Sequence, residues 1–157
     1  MFSPREIEKA MGIDGITNRV IEFDRFHPTL MTLREIDKPV FAKNTFEFVQ
    51  PGTAWTGICS DKIICCFGFH VLWEGVAEIW MVPDANLTKK KMVFHRASHK
   101  YLLFLAKKLN LWRIQAHVCT ENIPGDRWIR SVYFKEEGIC RRYGPDSKDY
   151  VIFGRVF

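Results

Sequence analysis

The sequence predicts a single α+β domain built on a mixed, mainly antiparallel sheet. Three observations carry that prediction. Three β-rich runs follow one another in the middle of the chain at hairpin spacing. A long stretch with helical periodicity comes directly after them, and two further strand-like runs close the chain around Gly144-Pro145-Asp146. At 157 residues, 47% hydrophobic and 14% aromatic, the chain is long enough for one proper core and short for two.

Each element follows from local chemistry. Ser3, Pro4 and Glu6 read as an N-cap, a proline at the first helical position and a capping-box partner, so a short helix runs through Met11 and stops at Gly12 and Gly15. Residues 20–26 fit either a strand or a helix. Pro28 and Pro39 bracket 32–37, a helical turn or two, and 41–49 is a mixed segment ending as a strand before Pro51-Gly52.

Runs 54–59, 62–73 and 76–82 are strands joined by Ser60-Asp61 and Glu74-Gly75, which predicts an antiparallel meander stopped by Pro83. Residues 88–109 are helical, with Met92, Ala97, Tyr101, Phe104, Leu105 and Leu109 available for a buried stripe. A strand at 112–118, a helix at 126–137 ended by Gly138 at C′, and a hairpin of 140–143 with 150–156 complete the order. Because a long helix separates the strands at 76–82 and 112–118, those two can pair in parallel through a crossover.

Composition narrows the function classes. Cys59, Cys65, Cys66, Cys119 and Cys140 are odd in number, include no C-x-x-C pair and show no zinc-type spacing with histidine. Buried thiols are therefore expected rather than disulfides or a metal site. No apolar run reaches the about 18 residues of a bilayer span, and the acidic start is not a signal peptide, which places the chain in the cytoplasm or an equivalent reducing compartment. The formal net charge of +5 favours anionic partners.

The positive charge is concentrated. From Ala85 to Thr120 the chain carries Lys89, Lys90, Lys91, Arg96, Lys100, Lys107, Lys108 and Arg113 with no carboxylate. From Val76 to Pro124 it carries no glycine. A strand running into a basic helix suits a phosphate ligand at a helix N-terminus. The glycines that usually let backbone amides approach a phosphate are missing. Read alone, Lys89–Lys91 is equally a solvated face.

The order and the motifs together resemble the GCN5-related N-acetyltransferase (GNAT) superfamily. Ala77-Glu78-Ile79-Trp80-Met81-Val82-Pro83-Asp84 looks like the strand preceding the family's acetyl-CoA loop, and Arg113-Ile114-Gln115-Ala116-His117-Val118 like the next strand. Tyr133-Phe134-Lys135-Glu136-Glu137-Gly138-Ile139 resembles the family's Y-x-K-x-G-F ending. Arg141-Arg142-Tyr143-Gly144-Pro145-Asp146 with Asp149-Tyr150-Val151-Ile152-Phe153 resembles its final hairpin. The resemblance covers 41–157, leaving 1–40 as a variable helical N-terminal part, and it implies a central sheet with helices on both faces. Within the family it is nearest to divergent bacteriophage members, including a small internal virion protein family of short-tailed phages that keeps the scaffold and loses the loop.

The resemblance implies a site. Backbone groups of Trp80, Met81 and Val82 would meet the pantetheine of acetyl-CoA, and its pyrophosphate would lie over Thr88, Lys89, Lys90, Lys91 and Met92, with Thr88 as helix N-cap. Neither glycine of the family's loop pattern is present; three lysine charges offset part of that loss. Tyr133 would be the acid for the departing thiolate and Asp126 would replace the family's asparagine near the cofactor, although counting from Gly138 puts Phe134 at the tyrosine position. Glu78 would be the base: alternation groups it with Trp80 and Val82, and burial there would raise its pKa. It equally suits a solvated or lysine-paired position, and His70 and His117 are further bases or simply hydrogen-bonded strand residues.

Two functions follow. The first is an N-acyltransferase moving an acetyl group from acetyl-CoA to an amine of unknown identity. The second is a catalytically silent member of the same fold, working among other phage or virion proteins in the host cytoplasm or the virion. A nucleic-acid role has the basic helix in its favour but no recognition motif, and no membrane partner is expected.

Overall fold

The first helix forms where its capping chemistry demands. In the computed structural model, which describes residues 1–42 and 46–157 and leaves the side chains of Phe41, Thr88 and Lys89 outside that description, α1 (Pro4–Met11) is closed by reciprocal bonds. Glu6 N donates to Ser3 Oγ at 3.4 Å and Ser3 N donates to Glu6 Oε2 at 2.8 Å. Gly12 ends the helix in the left-handed region at φ 67°.

Seven strands make one sheet: β1 (Asn18–Glu22), β2 (Ala54–Cys59), β3 (Lys62–Trp73), β4 (Val76–Pro83), β5 (Arg113–Cys119), β6 (Lys135–Cys140) and β7 (Tyr150–Val156), in the order β1-β2-β3-β4-β5-β7-β6. Every pairing is antiparallel except β4 with β5, which is parallel, as the intervening helix required. The β2–β3 turn is tight because Ser60 and Asp61 both take positive φ, 48° and 63°. The β3–β4 turn uses Gly75 at φ 77°.

Several elements differ from the sequence prediction, each for a local reason. The segment left open at 20–26 is a short edge strand, so the N-terminal 40 residues contribute to the sheet as well as a helix. Helical turns fall on either side of 32–37 rather than within it: a 3₁₀ turn at His27–Leu30 and α2 (Lys38–Ala42). Pro28 and Pro39 start those turns, as proline's fixed φ favours, instead of fencing them. Within 41–49, residues 43–45 lie outside the described residues, and Phe46–Phe48 turn rather than extend.

The long helix begins later than expected. A 3₁₀ turn at Leu87–Lys90 precedes α3 (Lys91–Lys108). Its buried side is Ser98, Tyr101, Leu102, Leu105 and Ala106, so Met92, expected in the stripe, stands 65% exposed near the N-terminus. The largest departure is near the C-terminus. The helix expected at 126–137 is α4 (Ile123–Ser131), and residues 135–140 instead form β6. Gly138 is therefore a strand residue and not a helix cap, and the hairpin's first strand precedes 140–143.

The core lies between α1, α3 and one face of the sheet. Ile7 and Met11 meet Tyr101, Leu102 and Leu105 over Trp55, Phe67, Phe69, Ala77, Ile79, Ile114, Ala116 and Phe153. Trp55 is fully buried, its ring stacked on Phe69 at 6.1 Å and set edge-on to Tyr101. Trp73, by contrast, is exposed, and Trp128 is half-buried. By alternation, Glu78, Trp80 and His70 face away from this core, toward the stretch that carries the 3₁₀ turn and α2. Thr32 N, on that stretch, donates to Asp84 Oδ2 at 2.7 Å, and His27 Nδ1 lies 2.8 Å from Thr56 Oγ1.

Candidate active site

A parallel pair of strands hydrogen-bonds evenly along its length unless something forces it apart. Here the β4–β5 ladder runs from Val76–Arg113 to Glu78–Gln115 and ends. Beyond that rung, Ile79–Pro83 on one side and Ala116–Cys119 on the other continue without pairing to each other. Between them opens a cavity of about 1210 Å³, lined by Trp80, Met81 and Val82 of β4, His117 and Val118 of β5, and Lys90, Lys91 and Met92 at the start of α3. Lys90, at the N-cap of α3, makes no side-chain cap bond, and Lys90 and Lys91 stand beside the helix's first turn. Thr88, expected as the N-cap, lies within the preceding 3₁₀ turn while the N-cap position of α3 falls on Lys90; the side chains of Thr88 and Lys89 are outside the described residues.

At the fork a polar cluster replaces the missing rungs. Glu78 Oε1 lies 2.9 Å from His117 Nδ1, and Glu78 Oε2 accepts from Gln115 Nε2 at 3.0 Å. Both members of the Glu78–His117 pair are largely buried, their side chains 16% and 13% exposed. Burial pushes the Glu78 carboxyl upward, but hydrogen bonds from His117 and Gln115 and the charges of His117 and His70 outweigh it. Its pKa is held below the ordinary carboxylate value, opposite to the shift its apolar neighbours suggested.

An ionised carboxylate only accepts, so the proton in the pair belongs to His117 Nδ1. His117 Nε2 has no hydrogen-bond partner among the described residues, and unlike His70 Nδ1 it is not sealed from solvent. The ring of Tyr143, from the β6–β7 loop, stacks on His117 at 4.4 Å and 13°. Burial, with the charge of Glu78, raises the Tyr143 hydroxyl above its ordinary pKa, so it keeps its proton through the neutral range.

Aromatic side chains wall the side of the fork that faces away from α3. Trp80 lies 5.4 Å from Phe46, 6.2 Å from Phe48 and 5.5 Å from Phe23, and Phe48 lies 5.4 Å from His70. Asn122 caps α4 by accepting from Gly125 N at 3.1 Å, and its Oδ1 also accepts from Arg34 Nη1 at 3.2 Å. Arg34 in turn grips Asp37 through Nε at 2.6 Å and Nη2 at 3.1 Å.

The sequence-derived candidates therefore separate. Glu78, Trp80, Met81, Val82, Lys90, Lys91 and Met92 all line the cavity. Tyr133 and Asp126 do not. Tyr133 has left α4, takes a left-handed φ of 69°, stands 67% exposed and packs on His99 and the Arg155 guanidinium. Asp126 receives Arg130 Nε at 3.0 Å and Nη2 at 3.1 Å, a surface helical pair. Tyr143, Asn122 and Arg34 line the cavity without having been singled out for it. A readable signal existed only for Asn122, whose type and place before Pro124 fit an N-cap.

Among the described residues, no group of three His, Cys, Asp or Glu side chains is placed to hold a metal, and no helix is long and apolar enough to cross a membrane. All five cysteines are free thiols, four of them buried, and burial pushes Cys66 up to about 11.

A seven-stranded sheet forked between a parallel β4–β5 pair, with a long helix starting at the fork, is the GNAT acetyltransferase fold. Solved structures agree. A GNAT-family acetyltransferase from Bacillus anthracis superposes with a TM-score of 0.66 at 18% identity, covering 89% of this chain and 95% of that one. Ribosomal-protein-S5-alanine acetyltransferase from Vibrio fischeri gives 0.64 at 13% identity, covering 92% and 95%. RimL, a ribosomal L7/L12 α-N-protein acetyltransferase in complex with coenzyme A, gives 0.63 at 12% identity, covering 90% and 95%. Identities this low establish a shared fold alone. No protein-family model matches the chain, and no curated protein matches it by sequence.

Proposed function

We propose that this chain is an acyl-CoA-dependent N-acyltransferase that moves an acetyl group to a primary amine. The fork itself carries the proposal: the ladder stops at Glu78–Gln115 while β4 continues, leaving a strand edge beside a cavity large enough for an extended thiol cofactor and a small acceptor. Backbone groups of Trp80, Met81 and Val82 would hold the pantetheine arm as an added strand does. First-turn amides of α3, with Lys90 and Lys91, would hold the pyrophosphate, the lysine charges standing in for a glycine-rich loop. Bound acyl-CoA supplies an activated thioester carbonyl; the chain's part is to exclude water, orient the amine and take its proton.

Calorimetric titration of the purified chain with acetyl-CoA tests the reading. Saturable one-to-one binding that weakens as salt rises is the expected result. No heat at millimolar acetyl-CoA would leave a protein with this fold and no coenzyme site.

A further inference from the structure

We propose that His117, oriented by Glu78, is the base for an apolar primary monoamine whose body lies against Trp80 and Phe48. This assignment deepens the acyl-transfer reading and rests on it. Its first support is the division of labour within the cluster. Glu78 has both oxygens committed, Oε1 to His117 Nδ1 at 2.9 Å and Oε2 to Gln115 Nε2 at 3.0 Å, which leaves it poorly placed to take a substrate proton. His117 is the neighbour with a free nitrogen, and the carboxylate fixes which nitrogen that is. Tyr143 stacked at 4.4 Å holds the ring plane. Glu78 is thus a positioning residue and His117 the group that meets the amine.

The second support is the apolar part of the cavity's wall. Three carboxylates line it among the described residues, and each already accepts hydrogen bonds from the chain. Asp37 is held by Arg34; Asp84 accepts the amides of Thr32 at 2.7 Å and Asn86 at 2.8 Å; Glu78 is held as above. Arg34 is committed to Asp37 and Asn122. Trp80, Phe48, Val40 and Ile36 form an apolar part of the lining, suited to an aryl or alkyl group.

The step balances. His117 Nε2 takes one proton from the ammonium, giving the free amine. Its lone pair bonds to the thioester carbonyl carbon, and the C–S bond breaks with its electron pair on sulfur. The new amide nitrogen loses its second proton, the thiolate gains one, and the imidazolium returns its own to solvent.

The test follows thiol release from acetyl-CoA with 2-phenylethylamine, spermidine, an aminoglycoside and a short peptide with a free N-terminus. It is run on the wild type, His117→Gln, His117→Ala and Glu78→Gln. 2-Phenylethylamine is expected to exceed the other three in kcat/KM by at least about tenfold. Both His117 variants should lose about 10²- to 10⁴-fold in kcat with KM little changed, together with the acidic limb of the pH profile. Glu78→Gln should displace that limb rather than abolish it.

Nitrogen-15 NMR of the wild-type histidines needs no acceptor and should find His117 as the Nδ1–H tautomer. Any one of four results overturns the assignment while leaving coenzyme binding intact: preference for spermidine, aminoglycoside or peptide; no amine consumed although calorimetry shows acetyl-CoA bound; unchanged pH profiles in both His117 variants; or the Nε2–H tautomer. Absence of coenzyme binding instead removes the acyl-transfer reading, and this assignment with it.

Discussion

The 2.9 Å contact between His117 Nδ1 and Glu78 Oε1 bridges, with side chains, the gap that the backbone has just opened. Glu78 sits on the last rung of the β4–β5 ladder, opposite Gln115, and His117 lies one pleat beyond it, where the strands have parted. Residues two apart on a strand share a face, so Gln115 and His117 reach the same carboxylate from successive positions. The fork and the polar cluster are thus one feature: the strands separate where a glutamate can be held by two neighbours.

That arrangement has a pH signature. Because its pKa is depressed in the folded state, Glu78 contributes stability that is fully present above the ordinary glutamate range and lost as pH falls through its lower folded pKa. The groups facing it are His70 on β3, Gln115 and His117 on β5, and Tyr143 from the β6–β7 loop. Thermal melts from pH 7 down to pH 3 should show the wild type losing more stability than Glu78→Gln across the acidic range. Parallel curves would mean that the carboxylate is not held as described.

The coenzyme reading makes a prediction about charge. Lys90 and Lys91 are exposed and line the cavity at the start of α3. As solvated point charges they should strengthen binding of a diphosphate modestly and in a salt-dependent way. The double variant Lys90→Ala, Lys91→Ala is expected to weaken acetyl-CoA binding about tenfold at low salt, with the difference shrinking at high salt. Calorimetry at two ionic strengths measures it. Equal affinities would leave backbone contacts alone as the source of binding.

Much of this architecture is legible in the chain. Strands β2, β3 and β4 are written as β-rich runs between two-residue separators, and the α1 capping box identifies its own start. The parallel β4–β5 pairing follows from the helix between them. What was not legible depends on contacts across the fold. The chain leaves α4 at Ser131 through Tyr133 at φ 69°, a conformation usually signalled by Gly, Asn or Asp, and none of these stands there. Residues 135–140 then extend because β7 offers a partner, a fact absent from their own composition. With that boundary hidden, Tyr133 looked like a cleft residue and Tyr143 like the end of a hairpin strand. The Glu78–His117 contact was hidden for the same reason, since it joins residues 39 positions apart.

The β3–β4 turn is predicted to tolerate no side chain at its glycine. Gly75 has φ 77°, and a Cβ placed there would come within 2.2 Å of the Trp112 ring. Both the strained backbone and the clash oppose substitution, so Gly75→Ala should destabilise by more than about 1 kcal/mol. Denaturant unfolding measures it. A second variant, Trp112→Ala, separates the two causes: if the clash dominates, Gly75→Ala should cost less in that background.

Tyr101 offers a substitution expected to stabilise. Its ring packs on Phe67 at 5.3 Å and on Trp55 at 6.1 Å, and the residue is 5% exposed, but its hydroxyl is buried with no hydrogen-bond partner among the described residues. Burial alone drives its pKa well above the ordinary value. Tyr101→Phe keeps the ring and removes the orphaned group, which should gain about 1 kcal/mol and raise Tm by about 2–4 °C. A lower Tm would show that the hydroxyl has a partner after all.

The two tyrosines near the C-terminus provide the sharpest separation. Tyr133 is exposed and packs on His99 and Arg155, outside the cavity, whereas Tyr143 lines it and stacks on His117. If turnover depends on the ring that holds His117, Tyr133→Phe and Tyr133→Ala should both leave kcat/KM for an acylated amine within about twofold. Tyr143→Ala should lower kcat by about tenfold or more, because a mispositioned base loses the alignment on which proton transfer depends. Tyr143→Phe keeps the stack and discriminates between roles. Retained activity would assign the ring to positioning, while a loss matching Tyr143→Ala would assign the hydroxyl to proton donation. Loss of activity in Tyr133→Phe alone would return the acid to the end of α4 and overturn the placement argued from the cavity.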